Sequence, residues 1–499
     1  MNTLPKNQIA ANMPVGVDFQ MDLTAPYSLT PPVLLSVDSY KGEHYKYLNS
    51  DVDFTQGYIE ARKGDKVQQV AGITRLAKQL AVGITTDDIL YFSMFAAKHS
   101  FGHAAMHSEG WSRIVDEMDG NLPLEIHALP EGTVVKPGLP ILVVRNTVAG
   151  FGWLVNYFID MILKVWKDMS VAGKAFRMKR ILKRMGSNTI SDADRFDFWL
   201  TVCLHDFGVR SIGTSEEAAI SGVAANQNIS GSDNWPATWL NMKLYDLTMD
   251  QMPTGSVVAL EHNVILSVGE EGEHELLLNF AKDILTSGRV GSVLIDTYDI
   301  DAVLEMFAKN KELLLQWLAE GDYQGKLVFR PDSGHEIETP IMVCEFLMRT
   351  FGSVTNDKGF RELDGWLGVI QGDGVNEDML EMFENRLYET ELSALNFVFG
   401  CGGELISNHT RDDYSWCGKV TVNTLNDGTE VPCGKSPKYG AGKKTKQGYF
   451  RVYETDGGWG YDQVDSFDLM EGFYCYFYNG VALKPQTWDE VKERAYSYL

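Results

Sequence analysis

Leu327-Val328-Phe329-Arg330-Pro331-Asp332-Ser333-Gly334 carries a short apolar run straight into a polar turn that ends in glycine. An unbroken apolar run suits a strand covered on both faces, as in a parallel sheet, and puts the Arg-Pro-Asp-Ser-Gly cluster in the loop after it. The pattern recurs on either side. Upstream, Val257-Val258-Ala259-Leu260 leads into Glu261-His262, and Val293-Leu294-Ile295 into Asp296. Downstream, Leu367-Gly368-Val369-Ile370 leads into Gln371-Gly372-Asp373-Gly374, and Phe397-Val398-Phe399 into Gly400-Cys401-Gly402-Gly403. His262 and Asp296 are 34 residues apart, as are Asp296 and Arg330, close to a strand-helix unit of about 30 residues. Helices expected across Glu275 to Leu285 and Pro340 to Thr350 fill the intervals. The fold class is therefore α/β with a barrel, whose post-strand loops should converge on one mouth. A lone Asp or Gly after a strand is as readily a turn as a site. Five successive clusters mixing His, Arg, Asp and Gly favour a site.

Those clusters have a shared chemistry. Arg330 offers a fork for phosphate, Asp332 an acid able to hold hydrated magnesium, and Gly334 close backbone approach to an anion. The two glycine-rich turns at Gly372 and Gly402 complete a sugar-phosphate cradle. His262, at a strand end with Asp296 at the next, reads as a nucleophilic or acid-base histidine oriented by an acid, against the plainer reading of a structural histidine. His99, His103 and His107 recur every four residues but lack the Glu of a zinc-protease helix, so they read as core or surface histidines. The basic stretch 435–446 is either a polyphosphate loop or a solvated one; it is not a Walker A loop, because Gly428 to Gly434 encloses one residue too many.

The composition narrows the partners. The chain has 499 residues, 44 Lys plus Arg against 68 Asp plus Glu, and a net charge of −24. Such a surface repels a nucleic-acid backbone, so nucleic acid is not an expected partner. No apolar run reaches the ~18 residues of a membrane span, and the start lacks a signal-peptide pattern, so a cytoplasmic protein is expected. Six scattered cysteines without a C-x-x-C pair point to reduced thiols.

Further motifs, in one order along the chain, carry a resemblance. They are Val37-Asp38-Ser39-Tyr40-Lys41, Leu122-Pro123-Leu124-Glu125-Ile126 with Pro130-Glu131-Gly132, His205-Asp206-Phe207-Gly208-Val209-Arg210, Gly231-Ser232-Asp233, Asp296-Thr297-Tyr298-Asp299 and Thr410-Arg411-Asp412. With the five clusters, they resemble the nicotinamide phosphoribosyltransferases, of the type II phosphoribosyltransferase kind. The resemblance implies an irregular (β/α) barrel over 191–411 and a second α+β domain over 32–190, completed by 412–499 with the basic loop 435–446. Residues 1–31 would form an N-terminal arm. It implies transfer from 5-phosphoribosyl 1-pyrophosphate to nicotinamide, with magnesium, coupled to ATP.

Position by position, the resemblance implies that nicotinamide lies between Phe207 and Tyr40 of a second subunit in a homodimer. Asp233 would accept a hydrogen bond from the carboxamide, and Arg210 and Arg330 would line the base and ribose-phosphate pocket. Gly372, Asp373, Gly402, Gly403 and Arg411 match the ribose and 5′-phosphate cradle. Asp332 matches an acid beside the ribose and magnesium pyrophosphate, and Arg62, Lys419, Lys435 and Lys443 match basic groups around pyrophosphate or ATP. His262 matches the histidine that ATP phosphorylates, and Asp296 the acid that orients it. Val209 and Glu404 depart from the family pattern; Glu404 is expected to face away from the cradle. Two alternatives stand beside this reading: a nicotinate phosphoribosyltransferase, which Asp233 argues against because a carboxylate repels an acid substrate, and a catalytically silent binding or signalling homologue.

Overall fold

The computed structural model describes residues 31–100, 106–439 and 444–499. His103, Lys443 and all but the last residue of the expected N-terminal arm lie outside them. The chain divides into two units, one of residues 1–167 with 411–487, the other of 168–410 with 488–499. The second unit thus includes most of the helix Val165–Thr189 and the helix Trp488–Ser497, both of which the sequence reading grouped with the other domain.

In the second unit all five apolar runs form strands: Val258–Ala259, Val290–Leu294, Lys326–Arg330, Leu367–Gln371 and Phe397–Cys401. Leu204–Asp206 and Gly231–Ser232 join them, too short to read as apolar runs. From one edge the order is Gly231–Ser232, Leu204–Asp206, Phe397–Cys401, Leu367–Gln371, Lys326–Arg330, Val290–Leu294 and Val258–Ala259, parallel throughout. A parallel bridge ties Gly231 in one edge strand to Gly255, three residues before the other edge strand, with the Ser232 N–H donating to Gly255 O and the Gly255 N–H to Ser230 O, each at 2.9 Å. The expected α/β barrel is present. Val293, Leu294 and Ile295 are fully buried, and burial of such side chains stabilises by roughly 2 kcal/mol each, so the loop that starts at Asp296 rises from a rigid strand. Helices Gly269–Thr286 and Glu338–Phe351 contain the stretches expected to be helical.

The first unit holds a seven-stranded antiparallel sheet in the order Glu430–Pro432, Cys417–Leu425, Val52–Glu60, Leu142–Asn146, Leu124–Ala128, Tyr474–Tyr478 and Val481–Ala482. Its third strand, Val52–Glu60, is covered by the helix Trp153–Leu163, which buries Leu154, Val155, Phe158, Ile159 and Ile162. The helix presses closely: a Cβ on Gly57 would lie 3.1 Å from Ile159 Cδ1, and one on Gly418 only 2.7 Å from Ile159 Cγ1. The stretch Leu154 to Met169, whose apolar spacing reads as one helix, forms parts of two, Trp153–Leu163 and Val165–Thr189, meeting at Lys164.

Candidate active site

In the barrel unit, the loops after the strands do meet. Arg330 ends its strand with Nη2 donating to Leu260 O at 2.8 Å, while its Nε is buried without a hydrogen-bond partner among the described residues. Two residues on, Asp332 reaches His262: its Oδ2 lies 3.5 Å from His262 Nε2. His262 opens the short helix His262–Leu266, and its Nδ1 is 3.2 Å from Thr297 Oγ1. Asp296 does not hold the imidazole, contrary to the sequence expectation. Its Oδ2 accepts from the Asp332 backbone N–H at 2.8 Å and from Ser333 Oγ at 2.6 Å, because parallel register sets the two loops side by side (Arg330 opposite Leu294). The acid on the ring is Asp332. Asp296 Oδ1 is buried and unpartnered among the described residues.

Gly372 is the meeting point of the mouth. A Cβ there would lie 3.4 Å from Asp332 Oδ1, 3.7 Å from Phe207 Cε2 and 3.9 Å from Arg330 Cδ. Asp373 follows, exposed, with its carbonyl accepting from Gln371 Nε2 at 2.7 Å. Phe207 packs closely against the next strand: a Cβ on Gly400 would sit 2.0 Å from its Cε2, so only glycine admits the ring. Gly402 and Gly403 face the Ser211 side chain across the Phe207 loop, and Arg210 is exposed on the one-turn helix Val209–Ser211.

Asp206 positions this side of the mouth. Its Oδ1 accepts from the Gly208 N–H at 2.8 Å and its Oδ2 from Asn234 Nδ2 at 2.9 Å, so one buried carboxylate fixes the turns that present both Phe207 and Asp233. Burial pushes its carboxyl up to about 6, against the lowering by those two bonds. Asp233 is exposed and accepts from Ser256 Oγ. Glu404 is drawn off by Lys174, whose Nζ lies 2.8 Å from Oε2; that bond, ahead of burial, lowers its carboxyl below the usual range.

The remaining candidates belong to the antiparallel unit. Tyr40, Arg62, Arg411 and Lys419 line one cleft of about 530 Å³, with Lys164 and Asp160. Arg62 is anchored there by Nε donating to Ser415 O at 3.1 Å. Lys435 lies apart from this cleft, exposed, its backbone paired with Thr445. His99 ends one helix and His107 caps another, accepting from the Gly110 N–H at 3.3 Å. The expected reduced cysteines are all free thiols. Thr297, Ser256 and Lys164 escaped the sequence reading; only Thr297, next to Asp296, carried a signal.

No group of three or more His, Cys, Asp or Glu side chains able to hold a metal occurs among the described residues. The neighbouring pair Asp296 and Asp332, with one buried oxygen unpartnered, fits a magnesium ion that takes its other ligands from a diphosphate and water. No helix among the described residues is long and apolar enough to cross a membrane.

A barrel mouth with an arginine whose Nε is left without a partner among the described residues, two acids, glycine turns and an aromatic wall defines an enzyme for a phosphorylated sugar and a flat base. The family model of the nicotinate phosphoribosyltransferase family matches residues 202–474, and that of the nicotinamide phosphoribosyltransferase N-terminal domain matches residues 32–126. A nicotinamide phosphoribosyltransferase of Xanthomonas campestris pv. campestris is 29% identical over 93% of this chain and 98% of its own length. One of Acinetobacter baylyi is 31% identical over 75% and 76%. Solved structures share the fold: nicotinate-nucleotide pyrophosphorylase from Pyrococcus furiosus at TM-score 0.56 and 15% identity over 92% of this chain and 93% of that one, and human nicotinic acid phosphoribosyltransferase at 0.54 and 14% over the same shares. The chain belongs to the nicotinate phosphoribosyltransferase family and is a phosphoribosyltransferase.

Proposed function

We propose that the enzyme is a nicotinamide phosphoribosyltransferase of NAD salvage, joining nicotinamide to 5-phosphoribosyl 1-pyrophosphate to give nicotinamide mononucleotide and pyrophosphate. The observation that carries this choice of base is Asp233, an exposed carboxylate held by Ser256 on the strand end beside that of Phe207. A carboxylate accepts from a carboxamide N–H and repels nicotinate. The relatives named nicotinamide phosphoribosyltransferase support the same choice.

The pyridine nitrogen already carries its lone pair, so no general base is needed. It attacks the ribose C1, the C1–O bond to pyrophosphate breaks, and positive charge builds on the sugar ring. Asp332 is placed to offset that charge, Arg330 to hold phosphate, and Phe207 to stack the base in line. Magnesium, held by the substrate's diphosphate with Asp332 and Asp296, would neutralise the leaving group. Gly372, Asp373, Gly402, Gly403 and Arg411 would cradle the ribose 5-phosphate, with Arg210 at the base and Arg62, Lys419, Lys435 and Lys443 around pyrophosphate or ATP. His262 takes the γ-phosphoryl group of ATP, releasing ADP, and Asp332 orients its ring. The enzyme works as a cytoplasmic homodimer in which Tyr40 of the second subunit closes the other face of the base.

Purified enzyme with phosphoribosyl pyrophosphate, magnesium and ATP, given nicotinamide or nicotinate in separate tubes, tests this directly. Mononucleotide from nicotinamide alone is the expected result. Product from nicotinate alone would transfer the assignment to the acid-specific enzyme, and silence in both would point to a binding protein.

A further inference from the structure

The turn from Gly372 to Asn376 joins the strand Leu367–Gln371 to the helix Glu377–Thr390. A side chain donates to each of three successive carbonyls in it. Gln371 Nε2 donates to Asp373 O at 2.7 Å, Asn376 Nδ2 to Gly374 O at 3.0 Å, and Cys401 Sγ to Val375 O at 3.0 Å. Gln371 and Cys401 are buried, 4% and 1% exposed, on neighbouring parallel strands. Two of the three donors are thus fixed by the sheet beneath the turn. Burial pushes the Cys401 thiol up to about 12, which keeps its proton in place as a donor at neutral pH. Asn376 is the N-cap of the helix, its Oδ1 accepting from the Met379 N–H at 2.9 Å, so its amide is held at both ends.

A trans peptide points its C=O and the N–H that follows in opposite directions. Pinning Asp373 O, Gly374 O and Val375 O therefore also aims the N–H groups of Gly374, Val375 and Asn376. None of those three N–H groups donates to an acceptor among the described residues. Gly374, at φ +68°, supplies the left-handed residue that lets consecutive N–H groups converge on an anion. Glu377, the next residue, would oppose an anion there, but its Oε1 lies 2.9 Å from Arg177 Nη2, with both side chains largely buried.

We propose, resting on the transferase reading of this mouth, that Gln371, Asn376 and Cys401 are positioning residues for the 5-phosphate of phosphoribosyl pyrophosphate. They hold the carbonyls of residues 373–375 back, so that the three free N–H groups meet the phosphate. Each acts through the backbone. A peptide released by its donor can rotate and present its oxygen to the phosphate, exchanging an attraction for a repulsion.

Steady-state kinetics of the full-length enzyme with nicotinamide, ATP and magnesium separate this role from a structural one. Cys401→Ala removes one donor and Gln371→Leu another. Each is expected to raise the KM for phosphoribosyl pyrophosphate about 3- to 10-fold, with kcat and the KM for nicotinamide within about twofold. Cys401→Ser keeps a donor and should stay within about twofold of the unaltered enzyme on every constant. An unchanged KM for phosphoribosyl pyrophosphate in both donor-less variants overturns the proposal. So does a Cys401→Ser enzyme as impaired as Cys401→Ala, or a parallel loss in kcat and both KM values. If one donor-less variant fails to fold, the other decides. Calorimetric titration with ribose 5-phosphate gives the same comparison without turnover, with the affinity expected to fall by the same factor. An unaltered enzyme inactive with both bases would therefore sink the transferase reading while this comparison still decides the role of the turn.

Discussion

His262 Nε2 lies 3.5 Å from Asp332 Oδ2, and the backbone N–H of Asp332 donates to Asp296 Oδ2 at 2.8 Å. The two acids therefore stand in series behind the histidine: Asp332 acts on the ring, and Asp296 on the loop that carries Asp332.

Asp332→Asn removes the charge beside both the histidine and the sugar cation, and should lower ATP-supported turnover by about 100-fold or more. Asp296→Asn keeps an oxygen that can accept from the Asp332 N–H and Ser333, and should cost less than about tenfold. Mononucleotide formation with and without ATP measures both. Equal losses would show that Asp296 touches the reaction itself.

Asp233→Ser should relax the preference for nicotinamide over nicotinate by about 10- to 100-fold, because the repelling charge is gone while a hydroxyl remains for hydrogen bonding. The ratio of kcat/KM for the two bases is the readout. An unchanged ratio would remove Asp233 from the base pocket.

Glu404→Gly should leave the KM for phosphoribosyl pyrophosphate within about twofold, since the ion pair with Lys174 already satisfies the Glu404 carboxylate. A large fall in KM would mean that Glu404 repels the substrate's phosphates from within the cradle.

His127, whose Nε2 lies 3.0 Å from Glu125 Oε2, carries a pH signature. Its folded pKa, about 9, is raised above the ordinary histidine value of 6.5. The stabilisation is thus fully present below about pH 6.5 and is lost as pH rises through about 9. The unfolding free-energy gap between the unaltered protein and His127→Gln should be on the order of 2–3 kcal/mol at pH 6 and close by about pH 10. Denaturant titrations across that range check it; a gap constant with pH would mean that folding does not shift the titration of the ring.

Much of the fold was legible because the strands that carry Asp296, Arg330, Gln371 and Gly400 are buried on both faces and read as apolar runs. The strands before Phe207 and Asp233 were not. Leu204–Asp206 and Gly231–Ser232 are three and two residues long, and one contains a buried Asp. They are strands because the sheet supplies their partners, which local propensity cannot register. The split at Lys164 was equally hidden, since two helices in tandem share one apolar periodicity.

The sequence by itself determined the barrel, the loops that bear its chemistry and the residue types at the mouth, because strand burial and post-strand polarity are written in consecutive residues. Tertiary structure alone decided that Asp332 and not Asp296 meets His262, that Lys174 draws off Glu404, and that Arg177 meets Glu377. Each of these pairings joins residues 70 or more positions apart in the chain. Register and the packing of helices set such distances, and no local pattern encodes them.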